Sequence, residues 1–167
     1  MGDWCVVPGP ASRDLAAKIS ECLDADLLDI GYKIFPDGES KITLLSEVRN
    51  QPVILVQSAY PPVDRHLLQA LILSHKLSEE GAEVYAVVPY IPYSRQDREF
   101  LKGEIVSMRV IARLFRAVGM KRFITVDIHS VEGLSNFSIP SYSASAVPLL
   151  AEYLQNNFKL TNPIAAS

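Results

Sequence analysis

The alternation of short, nearly continuous Val/Ile/Leu runs with amphipathic runs of helix length constrains this chain more than any other feature. Trp4–Val7, Leu27–Tyr32, Ile42–Leu45, Val53–Gln57, Val84–Pro89 and Phe123–Asp127 read as strands. Several lack polar alternation, as strands covered on both faces do. Ser12–Leu23, Asp64–Glu80, Ser107–Val118 and Ala146–Phe158 read as helices. In the second, 3.6-residue periodicity predicts one buried face made of Leu67, Leu68, Leu71, Ile72 and His75. Ser12 stands where an N-cap is wanted, and Gly81 and Gly119 where a left-handed C-cap is wanted. Strand and helix in this succession mean right-handed βαβ crossovers, hence an α/β fold with a doubly wound, mostly parallel sheet. The turn-forming Pro36-Asp37-Gly38 predicts a hairpin between Leu27–Tyr32 and Ile42–Leu45. Residues 1–160 read as one domain. The tail 161–167 reads as the opening strand of a truncated C-terminal half, because such a sheet rarely stops in mid-strand.

Bulk properties narrow the function. A chain of 167 residues buries roughly 70% of its unfolded surface, enough for a real core. A net charge of −3 gives no electrostatic case for nucleic acid, which favours a basic face. No apolar run approaches the roughly 20 residues that span a bilayer, and the N-terminus has no basic-then-apolar signal, so a cytoplasmic protein with no membrane partner is expected. Cys5 and Cys22 read as buried free thiols, and no Cys/His spacing suggests zinc.

Ligands of doubly wound sheets bind beyond the carboxyl ends of the strands. That rule nominates three polar loops. Phe35-Pro36-Asp37-Gly38-Glu39 is either a tight turn with two solvated acids or an aromatic face and two carboxylates for a base and a ribose. Pro89 to Arg98 is either a charged surface loop or a phosphate grip, with Arg95 supplying a planar fork of donors and Gln96 a neutral one. Asp127-Ile128-His129-Ser130 ends a buried strand. Alternation puts Asp127 and His129 on the same side, either hydrogen-bonded to each other or holding a metal or a proton. No Walker motif and no G-x-G-x-x-G is present.

Taken in order, Phe35-Pro36-Asp37-Gly38-Glu39, Val88-Pro89-Tyr90 with Tyr93-Ser94-Arg95-Gln96-Asp97-Arg98, Thr125-Val126-Asp127-Ile128-His129-Ser130 and Phe137-Ser138-Ile139-Pro140 resemble the N-terminal half of the ribose-phosphate diphosphokinases, or phosphoribosyl pyrophosphate synthetases. The resemblance runs from Val7-Pro8-Gly9 to Asn162-Pro163-Ile164. It implies a phosphoribosyltransferase-like fold and transfer of diphosphate from Mg-ATP to the C1 hydroxyl of ribose 5-phosphate, giving phosphoribosyl pyrophosphate and AMP for nucleotide biosynthesis. By the same resemblance, Phe35, Asp37, Gly38 and Glu39 reach adenine and ribose, commonly across the interface of a homodimer or larger homo-oligomer. Arg95 and Gln96 would contact the ATP phosphates. His129, supported by Asp127, would help hold Mg2+. No nucleophilic side chain is implied in this half, and the sugar-phosphate site would lie in the other half, so the fragment alone is expected to be inactive. A non-catalytic regulatory partner related to the synthetases is the rival reading. Lys102-Gly103-Glu104-Ile105-Val106-Ser107 departs from the Arg-x-Pro element of bacterial and animal members, so phosphate activation and ADP allostery are not carried over.

Overall fold

The computed structural model describes residues 4–48, 50–159 and 163–164. A six-stranded parallel sheet contains β1 (Cys5–Pro8), β2 (Asp26–Leu27), β5 (Pro52–Val56), β6 (Glu83–Val87), β7 (Met120–Val126) and β8 (Ser141–Ala144), in the order β2-β1-β5-β6-β7-β8. A separate antiparallel hairpin joins β3 (Ile30–Ile34) to β4 (Ser40–Leu44). The helices are α1 (Arg13–Leu23), α2 (Val63–Glu79), α3 (Ser107–Ala117) and α4 (Val147–Asn157), with a short 3-10 helix over Glu132–Asn136. The doubly wound expectation holds.

Strand parity divides the core. Val53, Leu55, Val84, Ala86 and Phe123 pack with the inner residues of α2 and α3, while Val6 and Val56 pack with Ala16 of α1 on the other face. Phe115 of α3 meets Phe123 edge to face at 5.4 Å, and Phe137 closes the cluster at 4.5 Å from Phe123. Close approach is strictest at Gly9, where an added Cβ would lie 2.0 Å from the Gln57 side-chain oxygen. That contact fixes the loop after β1 against the end of β5.

Several expectations change. Leu27–Tyr32 is two strands, because the Asp29 carboxylate accepts its neighbour Ile30 N–H at 2.9 Å and turns the chain between them. Strand β8 carries no apolar run; Ser-Tyr-Ser-Ala is recruited by pairing with β7. The Ser12 hydroxyl does not cap α1 and instead accepts the Ser58 N–H at 2.8 Å, tying together the ends of β1 and β5. The buried face of α2 is rotated: Leu67, Ala70, Leu73 and Leu77 are inside, whereas Leu68, Ile72 and His75 are exposed. Gln69 lies inside as well, a polar residue that the apolar count could not place. Cys5 is buried, but Cys22 is exposed. The two described tail residues, Pro163 and Ile164, have no regular structure, and the rest of the predicted tail strand lies outside the described residues.

Candidate functional site

The loops after β6 and β7 are stitched together at the carboxyl edge of the sheet. Val126 N–H donates to the Pro89 carbonyl at 3.0 Å, and the Thr125 hydroxyl donates to the same oxygen at 3.1 Å. The Tyr90 N–H donates to the Ser58 hydroxyl at 3.3 Å, and Ala59 N–H to the Tyr90 carbonyl at 3.1 Å. Farther along, Asn136 Nδ2 donates to the Asp97 carbonyl at 3.1 Å, and Met108 N–H at the start of α3 to the Gln96 carbonyl at 3.2 Å. Four neighbouring elements therefore hold a loop that its sequence alone leaves exposed and charged.

Between these loops lies a cleft of about 330 Å³ lined by Tyr90, Tyr93, Arg95, Gln96, Asp127 and His129, among others. Arg95, Gln96, Asp127 and His129 are thus brought to one wall-to-wall space. The side chains of Arg95, Gln96 and His129 are exposed and make no hydrogen bond or ion pair among the described residues. Tyr93 adopts a left-handed φ of 60°, and its hydroxyl donates to the Asp64 carboxylate at the first turn of α2. That bond to Asp64 is the chief cause that raises the Tyr93 phenol above its usual value.

The expected Asp127–His129 alternation is not what sets this geometry. β7 ends at Val126, and Asp127 has a φ of 42°, so the chain leaves the extended region there. The Asp127 carboxylate accepts the Ser145 hydroxyl at 2.9 Å and the Ala146 N–H at 3.1 Å, which secures the start of α4. Asp127 therefore does not bond to His129, and each of its oxygens already accepts one hydrogen bond.

The hairpin loop stands apart. Phe35, Asp37, Gly38 and Glu39 form the turn between β3 and β4, closed by Phe35 N–H to the Glu39 carbonyl at 2.8 Å, with Gly38 at a φ of 94°. None of the four lines the Arg95–His129 cleft. The first turn of α2 intervenes: Arg65 reaches toward Gly38, while Asp64 holds Tyr93.

The sheet's switch point, where strand order reverses, lies between β1 and β5, beside Ser12 and Arg13 at the start of α1. A cleft of about 450 Å³ opens there, lined by Pro10, Ser12, Arg13, Ser58 and Tyr60 among others. Two of its polar groups are already engaged: the Ser12 hydroxyl accepts the Ser58 N–H, and Arg13 donates to the Ile30 carbonyl outside the cleft. The signal that could have found it was Pro8-Gly9-Pro10 directly after the first strand.

Among the described residues no group of three or more His, Cys, Asp or Glu could hold a metal. Magnesium takes oxygen ligands and commonly keeps waters and substrate phosphates in its sphere. His129 offers a nitrogen and both Asp127 oxygens are hydrogen-bonded, so this pair does not form a closed protein cage, and a magnesium ion here would draw its oxygens chiefly from phosphate and water.

These features define a class: a doubly wound α/β domain with donor-rich loops converging at the carboxyl edge of its sheet, the edge at which such folds place their ligand sites. Residues 4–119 match the family described as the N-terminal domain of ribose phosphate pyrophosphokinase, and the chain belongs to that family. It is 34% identical over 148 residues to the ribose-phosphate pyrophosphokinase of Sulfurisphaera tokodaii, covering 88% of this chain and 51% of that protein. It is 40% identical to that of Methanopyrus kandleri, covering 87% of this chain and 50% of that protein. The fold superimposes on the phosphoribosylpyrophosphate synthetase of Mycobacterium smegmatis with a TM-score of 0.86 at 27% identity, over 93% of this chain and 53% of that one. The chain thus spans about half the length of the relatives it matches.

Proposed function

We propose that this chain is the nucleotide-holding half of a ribose-phosphate diphosphokinase that transfers diphosphate from Mg-ATP to the C1 hydroxyl of ribose 5-phosphate. The observation that carries the reading is the convergence of Arg95, Gln96, Asp127 and His129 on one cleft in a chain of this family. Phosphoryl transfer needs little covalent help from the protein and depends on positioning and charge neutralisation. Arg95 offers a bidentate fork to phosphate oxygens, and Gln96 adds a neutral donor. His129, with Asp127 beside it, would hold Mg2+, which neutralises charge on the transferring group when bound. Asp127 acts mainly by fixing the turn that sets His129 on the cleft wall.

The hairpin turn supports a shared site. Phe35, Asp37, Gly38 and Glu39 lie outside the cleft of their own chain, so we assign them to the adenine and ribose of a nucleotide held by a second copy in a homo-oligomer. No helix among the described residues is long and apolar enough to cross a membrane, and we place the enzyme in nucleotide biosynthesis in the cytoplasm.

The test uses the full-length protein. AMP release should depend on ribose 5-phosphate, ATP and Mg2+ together. Arg95→Lys should raise KM for ATP, because an ammonium cannot reproduce the fork, and His129→Ala should raise the Mg2+ concentration needed for half-maximal rate. No ribose 5-phosphate-dependent AMP release from a folded full-length protein would overturn the assignment.

A further inference from the structure

Helix α3 buries one side and leaves the other as a row of guanidinium groups. Met108, Ile111, Ala112 and Phe115 face the core. Arg109, Arg113 and Arg116 follow at steps of four and three, which places them on one outer face along about 10 Å of helix axis. With Ser135, Asn136 and Ser138 they line a cleft of about 850 Å³. This cleft shares no lining residue with the Arg95–His129 cleft.

The walls are fixed and carry no counter-charge. Arg116 donates to the Ser138 hydroxyl at 3.3 Å, which holds that guanidinium against the facing turn. Asn136 spends its amide protons on the Asp97 and Gly133 carbonyls at 3.1 and 3.0 Å, which locks the opposite wall. No carboxylate lines the cleft, and among the described residues Arg109 and Arg113 have no ion-pair partner. Like charges at i,i+4 weaken a helix. A row of three in a chain of net charge −3 is a local inversion of sign that a bound anion would relieve.

We propose that this outer face of α3 binds a small anion made of two or more linked phosphates. The guanidinium fork matches phosphate oxygens, and the serine hydroxyls of Ser135 and Ser138 add donors suited to the same oxygens. One phosphate reaches only part of a row about 10 Å long, whereas a linked chain can engage successive turns. No aromatic side chain lines the cleft, so it recognises the phosphate chain and offers no stacking platform for a base.

The experiment titrates this chain at low ionic strength with tripolyphosphate, inorganic phosphate and ATP, by calorimetry and by amide NMR. Tripolyphosphate should bind saturably and more tightly than phosphate, and shift amides of residues 109–116 and 133–138. The double variant Arg109→Glu/Arg113→Glu should weaken binding by about tenfold or more, and the milder Arg109→Gln/Arg113→Gln should weaken it in the same direction. Both positions are exposed, so the fold should persist, as circular dichroism would check. Arg95→Ala should retain the α3 shifts. Competition by ATP would identify a nucleoside polyphosphate as an acceptable source of the phosphates, and lack of competition a free polyphosphate. Absence of saturable binding, binding no tighter than phosphate, or binding lost in Arg95→Ala and untouched by the α3 changes would overturn the proposal.

Discussion

Replacing Gln69 by Leu probes what holds the hairpin to the sheet. Gln69 sits on α2 with 0% of its surface exposed, inside an otherwise apolar layer. Its Nε2 donates to the Tyr32 hydroxyl at 3.0 Å and the Ser40 hydroxyl at 2.9 Å, one on each strand of the hairpin. Its Oε1 accepts Gln57 Nε2 at 3.2 Å. Gln57, equally buried, passes the connection on by accepting Ala11 N–H at 3.1 Å in the loop after β1. Leu has similar bulk and breaks all three Gln69 bonds. A buried hydrogen bond is worth about 1 kcal/mol net, so the gross loss is ~3 kcal/mol. The Gln57 amide keeps the His66 carbonyl at 3.3 Å, and Tyr32, 37% exposed, turns to water, so the expected loss is about 2 kcal/mol. Urea unfolding should show a lower midpoint at constant slope. Amide exchange at Phe35 and Gly38 should quicken more than exchange in β5 and β6. A loss below about 0.5 kcal/mol, within the usual scatter of surface changes, together with unchanged hairpin exchange, would refute the relay.

Three further outcomes follow from the same geometry. Asp127→Ala should cost about 1 kcal/mol in urea unfolding and quicken exchange in the first turn of α4, whereas Asp127→Asn, which keeps an acceptor and tolerates the left-handed φ, should cost less. Cys22 should alkylate first as pH rises, because it is exposed while burial, helped by Asp26, pushes the Cys5 thiol up; equal labelling rates by mass spectrometry would contradict this. Leu150→Ser in α4, where Leu150 is 60% exposed, should move the stability of this chain by no more than about 0.5 kcal/mol in urea unfolding.

The parts of the fold legible in the sequence were those whose burial writes a pattern. Val53, Leu55, Val84 and Ala86 belong to strands covered on both faces, and their runs announced them. The Phe-Pro-Asp-Gly-Glu turn was legible because Gly38 needs its positive φ. Strand β8 was not, since backbone pairing with β7 recruits residues whose side chains carry no apolar signal. The face of α2 was misplaced because a count of leucines cannot see Gln69, which is drawn inward by three hydrogen-bonding partners. Helix α4 was found from its amphipathic run, yet none of its residues is buried among the described residues, so periodicity located the helix without locating a surface for it.

The turn at Asp127 binds fold and site most closely. A non-glycine residue at a φ of 42° is held in a sparsely populated region only when its surroundings fix it there. Here they do: Asp127 N–H donates to the Ala144 carbonyl at 2.9 Å, its carboxylate accepts from the Ser145 hydroxyl and the Ala146 N–H, and Ile128 N–H donates to the Ser143 hydroxyl at 3.1 Å. Four consecutive residues of β8 and its exit thus clamp the chain as it leaves β7. Without that clamp the alternation of an extended strand would govern where His129 points. With it, His129 stands on the cleft wall with Arg95, and the weak strand β8, invisible in the sequence, becomes the element that aims the histidine.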